Sequence, residues 1–190
     1  MGRLAPAILV VAVLTQASPA TVRDTRDGAV YPVIRIGSLD WFARNLAFAA
    51  TPSWCYGDRA DGCVAHGRLY TWTTARTACP AGWRLASDED WMNLENALGM
   101  RADELRNERA RGTDQGARLR AGGATGFEAL ISGYRRPEGD YVRRGERTAY
   151  WTATEANVDD AWHRDIRPDV DTIYRSPVTK TYALSVRCVR

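Results

Sequence analysis

The chain has 190 residues and a formal charge of +3, and its basic side chains are all arginine except Lys180. So small an excess, with arginines interleaved among acids, is not the concentrated basic patch of a nucleic-acid binder. No apolar run reaches the roughly 20 residues of a bilayer-spanning helix.

Met1-Gly2-Arg3 leads into an apolar run from Leu4 to Leu14, and Ser18-Pro19-Ala20 supplies a small-x-small site. A charged head, a short apolar stretch and such a site predict a cleavable signal peptide over residues 1–20. Residues 21–190 then form a single mature domain, large enough to bury most of a core. The first cysteine, Cys55, lies far from the cleavage site, so a lipoprotein is not expected. The product is expected to be secreted, periplasmic or held at the cell surface.

Val22 to Gly28 reads as a charged, unpatterned entry. Tyr31 to Ile36 is a β-branched strand whose Pro32 suggests an edge position. Gly37 to Asp40 has turn chemistry before Trp41-Phe42-Ala43, which predicts a hairpin. Residues 47–67 read as a long loop. Tyr70 to Ala78 has helical spacing, with Trp72, Ala75 and Cys79 on one side, and Pro80-Ala81-Gly82 stops it. Ser87 is a strong N-cap for a second helix. Asp88, Glu89 and Asp90 load its positive end, Trp91, Leu94 and Leu98 form its apolar stripe, and Gly99 ends it.

Arg101 to Arg111 reads as one or two exposed helical turns. Strands are expected at 127–131, 150–154, 161–166, 172–174 and 182–189. Early helices followed by short antiparallel strands indicate an α+β domain. Trp41, Trp72, Trp83, Trp91 and Trp151 are assigned to the core, whereas Trp54 and Trp162, among polar neighbours, are candidate stacking surfaces.

Four cysteines in an exported chain favour disulfides, and three connectivities are open to them. The glycine-containing loop between Cys55 and Cys63 suits a local bridge, which leaves Cys79 with Cys188. A zinc set of Cys55, Cys63 and His66 lacks a fourth ligand.

Six blocks carry a family resemblance. Ile36-Gly37-Ser38-Leu39-Asp40-Trp41-Phe42-Ala43-Arg44-Asn45-Leu46 is similar to "IGxQxWMxxNL". Gly67-Arg68-Leu69-Tyr70-Thr71-Trp72, after its cysteine pair, looks like "YGRLYTW". Cys79-Pro80-Ala81-Gly82-Trp83-Arg84-Leu85 and the residues on to Trp91 resemble "CPxGWHLPSDxEW", with Arg84 and Ala86 as departures. Gly126 to Leu130 with Gly133-Tyr134-Arg135 looks like "GFSALPGGYR", Tyr150 to Glu155 like "YWSSTE", and Ser185 to Arg190 like "SVRCVR". Taken in order, these blocks resemble the Fibrobacter succinogenes major paralogous domain, a family of exported bacterial domains. The resemblance implies a C-type-lectin-like fold, related to formylglycine-generating enzymes and to retroelement-diversified variable proteins. In that fold a cysteine ending the first helix pairs with one in the last strand, which supports Cys79–Cys188.

Catalysis is not expected. Copper oxidase chemistry needs free thiolates, an iron site needs a histidine cluster, and the adjacent carboxylates Asp159 and Asp160 do not face one another. No cofactor is expected either. The nearest approach to a calcium site is the acidic stretch Asp159, Asp160, Asp165, Asp169 and Asp171, whose interspersed arginines suggest a salt-bridged surface instead. The expected role is a binding or adhesion module for an extracellular glycan or protein, with a diversified receptor or a redox or metal enzyme as alternatives. Its contact residues are assigned to the polar loops and short strands of the C-terminal half, at Tyr134, Arg135, Tyr141, Asp159, Asp160, Trp162, His163, Arg164, Tyr174 and Arg175.

Overall fold

The structure, a computed structural model, describes residues 20–190, so the signal-peptide assignment lies outside the described residues except for Ala20. It mixes helix and sheet, with two disulfides, Cys55–Cys63 and Cys79–Cys188. Among the described residues no helix is long and apolar enough to cross a membrane.

The predicted hairpin forms from β2 (Val30–Ile36) and β3 (Leu39–Phe42), with Ile34 opposite Trp41. Pro32 does not mark an edge. The entry segment supplies β1 (Thr21–Arg23), which pairs with β2 and places Thr21 opposite Pro32. The segment read as a long loop holds β4 (Ser53–Trp54), a 3-10 turn at Tyr56–Asp58 and α1 (Ala60–His66). Helix α1 sits tight on that turn: a Cβ on Gly62 would lie 2.7 Å from the Tyr56 carbonyl oxygen. Next come β5 (Leu69–Thr71) and α2 (Trp72–Ala78), so Tyr70 is strand rather than helix.

After β6 (Arg84–Leu85), α3 (Asp88–Ala97) starts where Ser87 predicts. The Ser87 hydroxyl accepts from the Asp90 amide at 3.1 Å, and the Asp90 carboxylate accepts from the Ser87 amide at 2.7 Å. This reciprocal cap satisfies two amides that the helix start leaves free. Residues 101–111 are not helix beyond single turns, because Arg109–Arg111 is drawn into the sheet as β7, with Arg111 opposite Ile173. A short α4 (Gln115–Leu119), which the spacing did not indicate, follows.

The C-terminal half is strand-rich: β8 (Ser132–Arg135), β9 (Tyr141–Arg144), β10 (Thr148–Glu155), β11 (Asp160–Ile166) and β12 (Ile173–Thr179). The run 127–131 is not a strand. Glu128 has a positive φ of 55°, and the Phe127 and Glu128 carbonyls accept from the Arg187 guanidinium rather than from a ladder. The same arginine divides the last predicted strand into β13 (Ala183–Leu184) and β14 (Cys188–Val189).

Two sheets result. One runs β1-β2-β3-β14-β6, so the last strand lies between the hairpin and the strand leading into α3; the other runs β4-β5-β13-β8-β10-β11-β12-β7, with β9 on β8. Neighbouring Trp151 and Tyr150 on β10 point to opposite faces and enter different cores. Trp151 packs with Phe42, Tyr70, Trp72 and Leu184, whereas Tyr150 packs with Trp41, Trp91, Phe127 and Ile166. All five tryptophans assigned to the core are buried. Two helices were expected early in the chain. Among the described residues three precede residue 100, and Cys79 closes the second of them.

Candidate ligand-binding site

Strands β10, β11 and β12 are in antiparallel register, with Ala149 opposite Asp165, His163 opposite Ser176 and Asp165 opposite Tyr174. The period of two puts Ala149, His163, Asp165, Tyr174 and Ser176 on one face and Tyr150, Arg164 and Arg175 on the other. The first face floors a cavity of about 480 Å3, walled by Tyr134, Arg147, Tyr182 and Leu184. That volume is within the range of small-molecule sites.

The floor is charged. Arg147 donates to Asp165 Oδ2 at 2.9 Å and to the Tyr134 hydroxyl. Asp165 Oδ1 faces His163 Nε2 at 3.5 Å. Burial opposes ionisation of Asp165, yet His163, Arg147 and Arg167 together hold its carboxyl below the ordinary value. Arg167 lies over the Tyr174 ring at 4.0 Å. Ten buried side-chain polar atoms lack a partner among the described residues, and four belong to this cavity: His163 Nδ1, Asp165 Oδ1, Arg147 Nε and Arg167 Nε. A buried group left unsatisfied costs about 1–3 kcal/mol, so their concentration on one lining marks it out.

Of the residues expected to contact a ligand, Tyr134, His163 and Tyr174 meet here. The others do not. Arg164 and Arg175 are on the reverse face and are buried, which corrects the reading of the interspersed arginines as a salt-bridged surface, since these pairs lie in the interior. Arg164 donates to Asp88 and Glu95 at 2.7 Å each, and Arg175 donates to Asp88 at 2.7 Å. Arg111 joins them through Glu95. Burial and the neighbouring arginines lower the Arg111 value to about 10, which leaves it charged at neutral pH.

Trp162 lies under Arg175 at 3.5 Å, so a guanidinium already covers one ring face. Asp159 ends the β10–β11 turn and Asp160 begins β11, and both amides donate to Asn157 Oδ1 at 2.9 Å. Arg135 and Tyr141 form a separate cluster with Trp54, with Arg135 4.3 Å over that indole. Burial and the Asp58 carboxylate push the Tyr141 phenol up to about 12.

The acidic stretch does not converge. Asp171 pairs with Arg120 at 2.7 Å while Asp165 faces the cavity. Among the described residues no group of three His, Cys, Asp or Glu side chains is placed to hold a metal ion. Cys55 and Cys63 are bonded to each other, so the cysteine–histidine zinc set has no thiolates.

Arg147, Arg167, Ser176 and Tyr182 were missed as site residues. The alternation Ala161, His163, Asp165 was the available signal, since a two-residue period puts all three on one face, and Arg167 lies just past the end of the strand.

The family description "Fibrobacter succinogenes major domain" matches residues 34–190. No curated protein and no solved structure matches the chain.

Proposed function

Because the chain belongs to the Fibrobacter succinogenes major domain family, we propose that it is an exported binding or adhesion module that takes an extracellular ligand in the cavity on the β10–β12 sheet. One observation carries this reading: four of the ten unpartnered buried polar atoms belong to side chains of that lining. The export part is supported by the signal-like amino terminus and by disulfides, which persist in oxidising compartments. The C-type-lectin-like arrangement belongs to the same reading and is supported by the tie from the end of α2 to the terminal strand. A non-catalytic role accords with all four cysteines being bonded, which leaves no thiolate for oxidase chemistry.

Glycan and protein arrays probed with the oxidised mature domain test this. A specific ligand is expected whose capture is lost in Tyr174→Ala and kept in Val158→Ala, since Val158 is exposed and does not line the cavity. Absence of any ligand sensitive to Tyr174→Ala overturns the proposal.

A further inference from the structure

The cavity combines two needs that one ligand must meet. Asp165 Oδ1 is a buried carboxylate oxygen with His163 Nε2 3.5 Å away and no closer donor. A bare anion cannot supply one, whereas a hydroxyl can, and His163 Nδ1 can pair with a hydroxyl as donor or acceptor. The second need is charge. Arg109, Arg147 and Arg167 line the cavity with two acids, Glu108 and Asp165, so one positive charge is in excess, and of the three arginines Arg147 alone has an ion pair among the described residues. Arg167 holds its guanidinium over Tyr174. A neutral polyol leaves that cation unanswered. The walls add aromatic surface, with the Tyr134 and Tyr182 rings 5.9 Å apart.

Resting on the reading of this cavity as the ligand site, we propose that it takes an acidic monosaccharide unit: ring hydroxyls on Asp165 and His163, the C–H face of the ring on Tyr182, and the carboxylate on Arg167. Arg167 follows the end of β11 two residues after Asp165 and both line the cavity, so one ring spans both.

Titration of the oxidised domain with glucuronate, glucose, acetate and glutamate, followed by calorimetry and amide NMR, tests the assignment. Glucuronate is expected to bind roughly tenfold more tightly than glucose, the scale of a charge-assisted hydrogen bond, and acetate not to bind. Arg167→Gln should reduce glucuronate to the glucose level and leave glucose unchanged; Asp165→Asn should weaken both. Equal affinity for the two sugars, indifference to Arg167→Gln, or preference for glutamate overturns the proposal. If both sugars fail while an array ligand still depends on Tyr174, the sugar class is wrong and the binding reading stands. If no ligand depends on Tyr174, both fall.

Discussion

Asp88 does two jobs. It begins α3, where negative charge is favoured by the helix dipole, and it neutralises Arg164 and Arg175 beneath the sheet. Three buried arginines, Arg111, Arg164 and Arg175, have two acids, Asp88 and Glu95, as ion-pair partners among the described residues, so loss of either acid adds a further uncompensated buried charge. Asp88→Asn is expected to destabilise the domain by about 3–5 kcal/mol, measured by chemical denaturation. Burial opposes ionisation of Asp88, but hydrogen bonds from Arg175 and the charge of Arg164 outweigh it, so its folded value lies below the unfolded one. The stability it contributes is therefore complete above the unfolded value of about 4 and lost as pH falls through the folded value. Below about pH 5 thermal melts should decline, and less steeply in Asp88→Asn. An equally steep acid decline in the variant would assign it to other carboxylates.

Two helices are fixed by a few short contacts at their starts. Ser87 as N-cap was visible in the sequence, the return bond from Asp90 was not, and Ser87→Ala should cost about 1 kcal/mol. Helix α4 had no such signal. It stays in place because the Gly116 amide donates to the Asp171 carbonyl at 2.7 Å, and a Cβ there would lie 2.3 Å from the Thr172 carbonyl oxygen. Gly116→Ala should therefore cost about 1–3 kcal/mol by overpacking, although alanine is the better helix former. A stability gain in denaturant titrations would show that α4 does not dock as described. The segment 127–131 shows the same limit: β-compatible residues were overruled by a distant guanidinium that took their carbonyls.

For the molecule as a whole, the Cys79–Cys188 bridge closes 109 residues and Cys55–Cys63 closes 8. Loop entropy gives about 5 kcal/mol for the long closure and about 2.5 for the short one, as upper figures. Cys79→Ala with Cys188→Ala should thus lower the melting temperature more than Cys55→Ala with Cys63→Ala. The reverse order in calorimetry would mean that the terminal strand is held mainly by its neighbours.

The sequence by itself determined the local features. Apolar period placed the hairpin and α3, tryptophans in patterned segments marked the core, and the family blocks indicated the cysteine pairing. Only the tertiary structure decided what the charged residues do. Charge in a sequence carries no sign of depth, so Arg164, one residue from His163, was grouped with it as a contact residue. Pairing of β10, β11 and β12 turned those neighbours to opposite faces, giving one to the ion cluster with α3 and the other to the cavity, because side chains alternate along a strand and partners more than 60 residues away define what each face meets.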